Sequence, residues 1–337
     1  MRIAIDAMGG DNAPDEIVAG ALEAVDALSP DDELILIGVQ QTLEDHLPLL
    51  EHRPRAVRIV DAPEIITMDE TPIDALRKKK HSSIAVMAKL ASEGQADAVI
   101  SAGNTGACVA ACQMRMRNLP LVNRPGIAVV FPTFEGPVTM CDVGANIACK
   151  PINLYQYAVM ALMYSRHLLG IENPRIGVMS IGQEDAKGNE IVKKAREMIK
   201  SDTKLNFIGN IEGTDIFKGI CDVAVCDGFV GNVVLKLTEG LVDGLFKAIK
   251  FELQQEKLRL AMKFKPIMTR IYKKYDYHEY GGALLLGVNG TALICHGASK
   301  SRTIKNAILA ARKFHTIKVN DHIGKHLSDS SVKACDE

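Results

Sequence analysis

Ser101-Ala102-Gly103-Asn104-Thr105-Gly106-Ala107 is a run of small and polar residues between an apolar segment, Ala96 to Ile100, and a stretch of helical character, Ala107 to Arg117. A strand that ends in such a turn and opens a helix makes a cradle for anions. The first turn of a helix carries N–H groups without intrahelical partners and the positive end of the helix dipole. Gly103 lets the backbone come close to a ligand. Asn104 or Thr105 can cap the helix or donate to a phosphate oxygen. The device recurs twice. Gly182-Gln183-Glu184-Asp185-Ala186-Lys187-Gly188-Asn189 follows the apolar run Ile176 to Ile181, and Asp227-Gly228-Phe229-Val230-Gly231-Asn232 follows Val223 to Cys226. Both end in Gly-Asn and both are expected between a strand and a helix.

The elements that hold these loops alternate. Arg2 to Asp6, Glu33 to Val39 and Ala56 to Val60 read as strands. Helices are expected from Pro14 to about Leu28 and from Gln40 to Leu50. Such alternation implies a parallel sheet with helices on both faces. Ligands of such sheets bind beyond the carboxyl ends of the strands, so all three loops are expected on that one edge. Ile127 to Phe131 and Val138 to Asp142 read as an antiparallel hairpin appended to the main sheet. The turn Asp142-Val143-Gly144-Ala145-Asn146 then leads to a helix from Pro151 to Leu169, and further helices are expected over Asn189 to Lys200 and Ser301 to Phe314. Asp61 to Ser83 reads as a polar connection whose basic run, Arg77 to Lys80, either is a solvated face or meets a phosphate. The tail from Val319 is expected to fray.

Composition excludes several classes. The chain has 337 residues and a net charge of −1, so no global basic field points to nucleic acid. It has no Trp and few aromatics, which leaves no stacking platform for bases or sugars. Met1 to Asp6 reaches an acidic residue too soon for a secretory leader, and no apolar run approaches the roughly 20 residues that span a bilayer. The eight cysteines lack paired CxxC spacing, so no metal is expected and they read as reduced thiols of a cytoplasmic protein. There is no Walker A loop, no Rossmann G-x-G-x-x-G after a strand, no G-x-S-x-G elbow and no H-E-x-x-H. No cofactor is expected. What remains is a set of phosphate-sized cradles with one conspicuous lysine, Lys187, and several amides. Direct attack by or on a bound phosphate suits those parts, because it needs positioning and charge neutralisation more than covalent help.

The character changes between Val230 and about Tyr275. Leu241, Leu245, Ile249 and Leu253 fall at four-residue spacing, as in a long helix. Pro266 is expected to interrupt the helical stretch beyond it. From Leu241 to Tyr280, seven Lys and two Arg stand against two Asp and three Glu. A basic, amphipathic helical pair suits a membrane surface, a partner subunit, or both. Arg259, Lys263, Lys265, Lys273 and Lys274, with Phe264, Ile267, Met268 and Ile271, are the candidate contacts at such a surface. The pair could also line an apolar groove.

The motifs together resemble the acyl-carrier-protein:phosphate acyltransferases, the PlsX family of bacterial phospholipid synthesis. The residues that carry the resemblance are Ile5-Asp6-Ala7-Met8-Gly9-Gly10-Asp11, Ser101 to Ala107, Asp142 to Asn146, Gly182 with Glu184-Asp185 and Lys187-Gly188-Asn189, Asp227-Gly228-Phe229 with Gly231-Asn232, Gly281-Gly282-Ala283, and His296-Gly297. They span residue 5 to about 310. The resemblance implies a three-layer α/β/α fold with a mainly parallel sheet, similar to the phosphate acetyltransferases and the isocitrate/isopropylmalate dehydrogenase-like enzymes. It implies one catalytic domain over 1–337, with a helical protrusion at 240–280. It implies transfer of a fatty acyl group from acyl-acyl-carrier protein to inorganic phosphate, giving acyl phosphate for a downstream glycerol-phosphate acyltransferase. It further implies a homodimer, cytoplasmic and peripherally bound to the inner face of the cell membrane. The chain departs from the family at Ala148, where an acidic residue is usual.

Resemblance and residues then meet in one scheme. Phosphate sits on Ser101, Gly103, Asn104 and Thr105, with Asn146, Gly231 and His296 also facing substrate. Lys187 neutralises its charge, Asn232 donates to the developing oxyanion, and Asp227 touches substrate or orients Lys187. The other readings are a solvated Lys187, an Asn232 that caps a helix, a packed or capping His296, and strand-end aspartates that only form turns. A phosphate acetyl- or butyryltransferase using acyl-coenzyme A, or an inactive membrane-associated scaffold, are the alternative functions.

Overall fold

In the computed structural model, residues 1–46, 56–255, 258–275, 281–330 and 332 are described. The strands are β1 (Arg2–Asp6), β2 (Glu33–Gly38), β3 (Val57–Asp61), β4 (Ala98–Ser101), β5 (Gly126–Thr133), β6 (Gly136–Cys141), β7 (Ile176–Met179), β8 (Phe207–Ile211), β9 (Val223–Val225), β10 (Ala283–Leu286) and β11 (Thr291–Ile294). The helices are α1 (Asp15–Val25), α2 (Gln40–Glu44), α3 (Pro72–Lys78), α4 (Ser83–Ser92), α5 (Thr105–Arg115), α6 (Pro151–Leu168), α7 (Glu190–Ser201), α8 (Gly228–Gln255), α9 (Leu258–Tyr275), α10 (Ser301–Ile317) and α11 (Val319–Asp329).

Alternation along the strands makes the layers. Ile3, Ile5, Leu34 and Leu36 face one side of the sheet, where they pack with Ile17, Val18 and Ala21 of α1, Ile304 and Ile308 of α10, and the almost wholly buried α6. Ala4, Ile35, Ile37 and Val99 face the other side, with Met87 of α4, Cys108 and Cys112 of α5, and Val230, Val234 and Leu235 of α8. A period of two on each strand therefore puts a helical layer on both faces, the three-layer α/β/α arrangement. Burying each large apolar side chain contributes roughly 1.5–3 kcal/mol.

Among the described residues one sheet carries all eleven strands, in the order β3-β2-β1-β4-β11-β10-β5-β6-β9-β7-β8. It is built from two parallel blocks. In the first, β3, β2, β1, β4 and β11 run together; in the second, β6, β9, β7 and β8 do. The antiparallel pairings β11–β10, β10–β5 and β5–β6 join them, so the second block runs opposite to the first. The β5–β6 hairpin is thus not an appendage but the middle of the sheet. The carboxyl ends of the two blocks lie on opposite edges, so the expectation of three loops on one edge fails. The loop after β4 is on one edge; those after β7 and β9 are on the other.

Three further expectations change. The tail from Val319 does not fray: α11 buries Val319, Ile323 and Leu327. The polar connection holds α3, and Lys79 from its basic run is held by the Ile65 carbonyl and the Glu70 carboxylate, each at 2.6 Å. Pro266 lies inside α9 rather than ending it. The helix expected over Gln40 to Leu50 is present as α2; positions 47–50 lie outside the described residues, as does Cys335. The other seven cysteines, Cys108, Cys112, Cys141, Cys149, Cys221, Cys226 and Cys295, are free thiols and all buried.

Candidate active site

Asp6 ends β1 and organises the first cradle. Its carboxylate is buried and accepts from the Ser101 hydroxyl at 2.7 Å and the Met8 N–H at 3.2 Å. Ser83 and the Gly9 N–H bond to it as well. Burial pushes this carboxyl group up from its ordinary range, and the hydrogen bonds oppose that. A Cβ on Gly9 would overlap Asp6 Oδ2, so only glycine lets this loop close over the carboxylate. Ser101 Oγ in turn accepts from the Gly103 N–H at 3.1 Å. One buried acid thereby stitches the loops after β1 and β4 to the start of α4.

Asn104 caps α5. Its Oδ1 accepts from the Ala107 N–H at 3.0 Å, and its Nδ2 donates to the carbonyls of Thr67, Met68 and Glu70 at 3.1, 3.2 and 3.0 Å. The amide is fully engaged in shaping the cradle. The N–H groups of Thr105 and Gly106, both exposed, have no hydrogen-bond partner among the described residues. They are the first two donors of the helix. His296 follows β11 beside them. Its Nδ1 accepts from the Ala298 N–H at 3.2 Å, which assigns the proton of the neutral ring to Nε2.

Asp142 organises the opposite edge. It is fully buried, and its oxygens accept from the N–H groups of Ile127, Gly144, Ala145 and Asn146 at 2.9, 3.1, 3.0 and 2.7 Å. Asn146 is drawn into the same knot. Its Nδ2 donates to the Pro125 carbonyl at 2.6 Å and the Tyr157 hydroxyl at 2.9 Å, so its side chain ties the turn to β5 and α6. The amino end of α8 packs directly on this turn. A Cβ on Gly231 would overlap the Asp142 carbonyl oxygen, so glycine is what allows the approach. Asn232, next in sequence, is exposed and lies beside Gly144. Asp227 caps α8, its Oδ1 accepting from the Val230 N–H at 2.8 Å.

Asp227 also borders a second, smaller cavity of about 180 Å³ with Ser180, Gly188 and Asn189. Ser180 Oγ is buried there and has no partner among the described residues. Lys187 is exposed on the loop leading to that cavity, its stem lying against Gly182. Arg196 fastens the loop through Asp185, at 3.2 Å to the carboxylate.

Short strands bring the two edges together. Ile100 of β4 is level with Leu293, Leu293 with Leu284, Leu284 with Ala128, and Ala128 with Cys141, the last residue of β6. The opposed carboxyl ends therefore overlap in height across the sheet. A single cavity of about 570 Å³ joins them. Thr105 and His296 line it from the first block, Val143 and Asn232 from the second. Its floor is β5 and its roof is α8 and α9, including Leu235, Val242, Phe246, Met268 and Ile271.

Of the residues singled out from sequence, then, Thr105, His296 and Asn232 meet in this cavity. Ser101, Gly103, Asn104, Asn146 and Gly231 shape its walls from behind. Asp227 and Lys187 stand at the smaller cavity or outside both. On α9, Met268 and Ile271 line the large cavity, while Lys263, Phe264, Lys265 and Ile267 are exposed. The side chains of Arg259, Lys273 and Lys274 lie outside the described ones. The floor residues Ile127, Val129 and Phe131 were not singled out, although their alternation along β5 is a readable signal.

Comparison with known proteins agrees with this arrangement. A family model described as fatty acid synthesis protein matches residues 1–322. A phosphate acyltransferase of Halothermothrix orenii is 48% identical over 316 residues, 93% of this chain and 94% of that one. One of Heliobacterium modesticaldum is 49% identical over 319 residues, 93% of each. Among solved structures, a phosphotransacetylase from Streptococcus pyogenes matches with a TM-score of 0.62 at 18% identity, over 93% of this chain and 94% of that one. The EutD phosphotransacetylase from Staphylococcus aureus matches at 0.60 and 13% with the same coverage. At such identities the likeness is one of fold.

Proposed function

Starting from a chain that belongs to the phosphate acyltransferases, the fatty acid synthesis protein family, we propose that its acyl donor is a long-chain acyl-acyl-carrier protein and its product an acyl phosphate for phospholipid synthesis. The observation that carries the reading is the large cavity. Its lining is mostly apolar, with Thr105, Asn232 and His296 where the two opposed loops meet and Thr133, Lys236, Thr238 and Glu239 further along. An acetyl group would leave most of it empty.

Inorganic phosphate rests on the amino end of α5, against the N–H groups of Thr105 and Gly106 and the Thr105 hydroxyl. The positive end of the helix favours its charge. Ser101, Gly103 and Asn104 hold that cradle in shape through Asp6 and the 67–70 carbonyls. A phosphate oxygen attacks the thioester carbonyl carbon. The Asn232 amide donates to the oxyanion that forms, and His296 Nε2–H donates to a phosphate oxygen. Collapse breaks the C–S bond, the carrier thiolate leaves and takes up a proton, and the acyl–oxygen–phosphorus linkage remains. Lys187 reaches from its loop on a flexible stem to neutralise charge, and Asp227 sets the amino end of α8 that carries Gly231 and Asn232.

The whole chain serves as one catalytic unit. Phe229, Val233, Leu237 and Leu241 form an exposed apolar row along α8, which a second copy covers in a homodimer. The exposed Lys263, Phe264 and Lys265 of α9 meet an anionic membrane surface and the acidic carrier. The acyl phosphate is a reactive mixed anhydride, so an acyltransferase that acylates glycerol phosphate takes it up next.

Phosphate-dependent release of free thiol from long-chain acyl-carrier protein tests this. Release is expected from the intact protein. Replacing Asn232 with Ala is expected to lower turnover by about 100- to 1,000-fold, the usual effect of losing one oxyanion donor, and Lys187→Ala to raise the phosphate requirement. Release from acetyl-coenzyme A but not from the carrier would replace this reading with that of an acetyltransferase.

A further inference from the structure

We infer that Phe217 sets the length of acyl chain this protein accepts. The inference rests on the acyl-transfer reading of the large cavity. Thr105, Asn232 and His296 stand at that cavity's mouth, and Phe131 and Phe217 form an aromatic wall further along β5. At the mouth, the Val143 N–H donates to the Ile127 carbonyl at 3.0 Å, so β5 begins beside the turn that supports Asn232. Four residues further along β5 is Phe131. Its ring meets that of Phe217 edge-on, with centroids 6.3 Å apart and planes at 82°. Both rings line the cavity.

The span from mouth to wall decides what fits. Four strand residues advance roughly 13 Å at about 3.3 Å each, and each residue is three backbone bonds. An extended hydrocarbon advances by a similar amount per bond. A chain whose carbonyl lies at Asn232 and which follows the β5 floor thus reaches the aromatic pair after about a dozen bonds. Beyond that it either displaces Phe217 or turns aside. Phe131 is buried in the sheet, whereas Phe217 is 45% exposed. It sits at the end of a 3₁₀ turn, Gly213–Phe217, that follows edge strand β8. It is the wall that can change without disturbing the strands or the polar mouth.

The decisive measurement compares acyl-carrier protein donors from C8 to C18 on the full chain and on Phe217→Ala. Each methylene newly accommodated is worth roughly fourfold, the equivalent of about 0.8 kcal/mol. C16 carries four methylenes beyond C12, so the variant is expected to raise the ratio of kcat/KM for C16 over C12 by up to about 250-fold and to leave the C8 rate unchanged. An unaltered chain-length profile would overturn the inference. Because the chain contains no Trp, Phe217→Trp also introduces a sole tryptophan at the wall. Its emission is expected to respond to palmitate and not to octanoate. Equal response to both, or none to either, overturns the inference even if the protein proves to use another donor. Absence of acyl phosphate from every carrier donor, with the palmitate response intact, would instead overturn the choice of donor.

Discussion

Asp142 shows how much of this site is held by residues that never reach the substrate. Its carboxylate collects four N–H groups and so bends the chain into the turn on which α8 rests. Gly231 is the contact point. Alanine there is expected to force the amino end of α8 off the Asp142 carbonyl, at an overpacking cost of about 1–3 kcal/mol. Because Asn232 is the next residue, turnover should fall further than the melting temperature alone explains; parallel measurement of kcat and Tm checks this. The small and polar residues of the cradles were legible in the sequence, and so was their grouping. Which of them face the cavity and which are tied up in its walls was not. The partners that occupy Asn104 are carbonyls at 67–70, and those that occupy Asn146 are Pro125 and Tyr157. Such partners are chosen by the fold, not by spacing.

Among the elements, α11 departs most from expectation, and its fastening explains why. His326 bonds Asp202 at 2.9 Å and Tyr155 donates to the same oxygen at 2.8 Å. Burial alone would raise the Asp202 carboxyl, but the Tyr155 hydroxyl, His326 and the Lys204 N–H more than offset this and hold it below its ordinary range. A carboxyl depressed in the folded state binds its proton more weakly there than in the unfolded chain. Its contribution is therefore present above the unfolded value of about 3.9 and is lost as pH falls below that. Asp202→Asn is expected to lower Tm at pH 7, with the deficit shrinking below about pH 4; melts across that range decide it. A polar tail with a histidine and a serine reads as fraying because its acceptor lies over a hundred residues away. Strands and helices were otherwise read from their own periodicity, which is local. The order of strands is not, and so the β5–β6 hairpin was expected at the margin and stands at the centre. β10, preceded by Gly281-Gly282, carries too short an apolar run to stand out.

At the scale of the molecule, two parallel blocks of opposite direction create a cleft that a single block would not have. The likeness to phosphotransacetylases was legible from motifs spread along the chain, whereas the reversal that makes the cleft was not. Charge is nearly balanced overall, so any attraction to a surface depends on where charges gather. No helix among the described residues is long and apolar enough to cross a membrane. Lys263 and Lys265, exposed on α9, are worth about 1 kcal/mol each against an anionic leaflet. Replacing both with Glu is expected to release the protein from anionic vesicles in a flotation assay and, in solution, to raise the KM for the acidic carrier while leaving kcat intact. Vesicle binding that survives the exchange would remove α9 as the membrane element.

The seven buried cysteines have a practical corollary. Burial drives the thiols of Cys141 and Cys226 well above the ordinary range, and a protonated, enclosed sulfur is a poor nucleophile. A colorimetric reagent that counts thiols will therefore see the carrier's leaving group and pass over these seven while the chain stays folded. When the sheet opens they all become visible. The same absorbance trace, read without substrate, becomes a clock for unfolding.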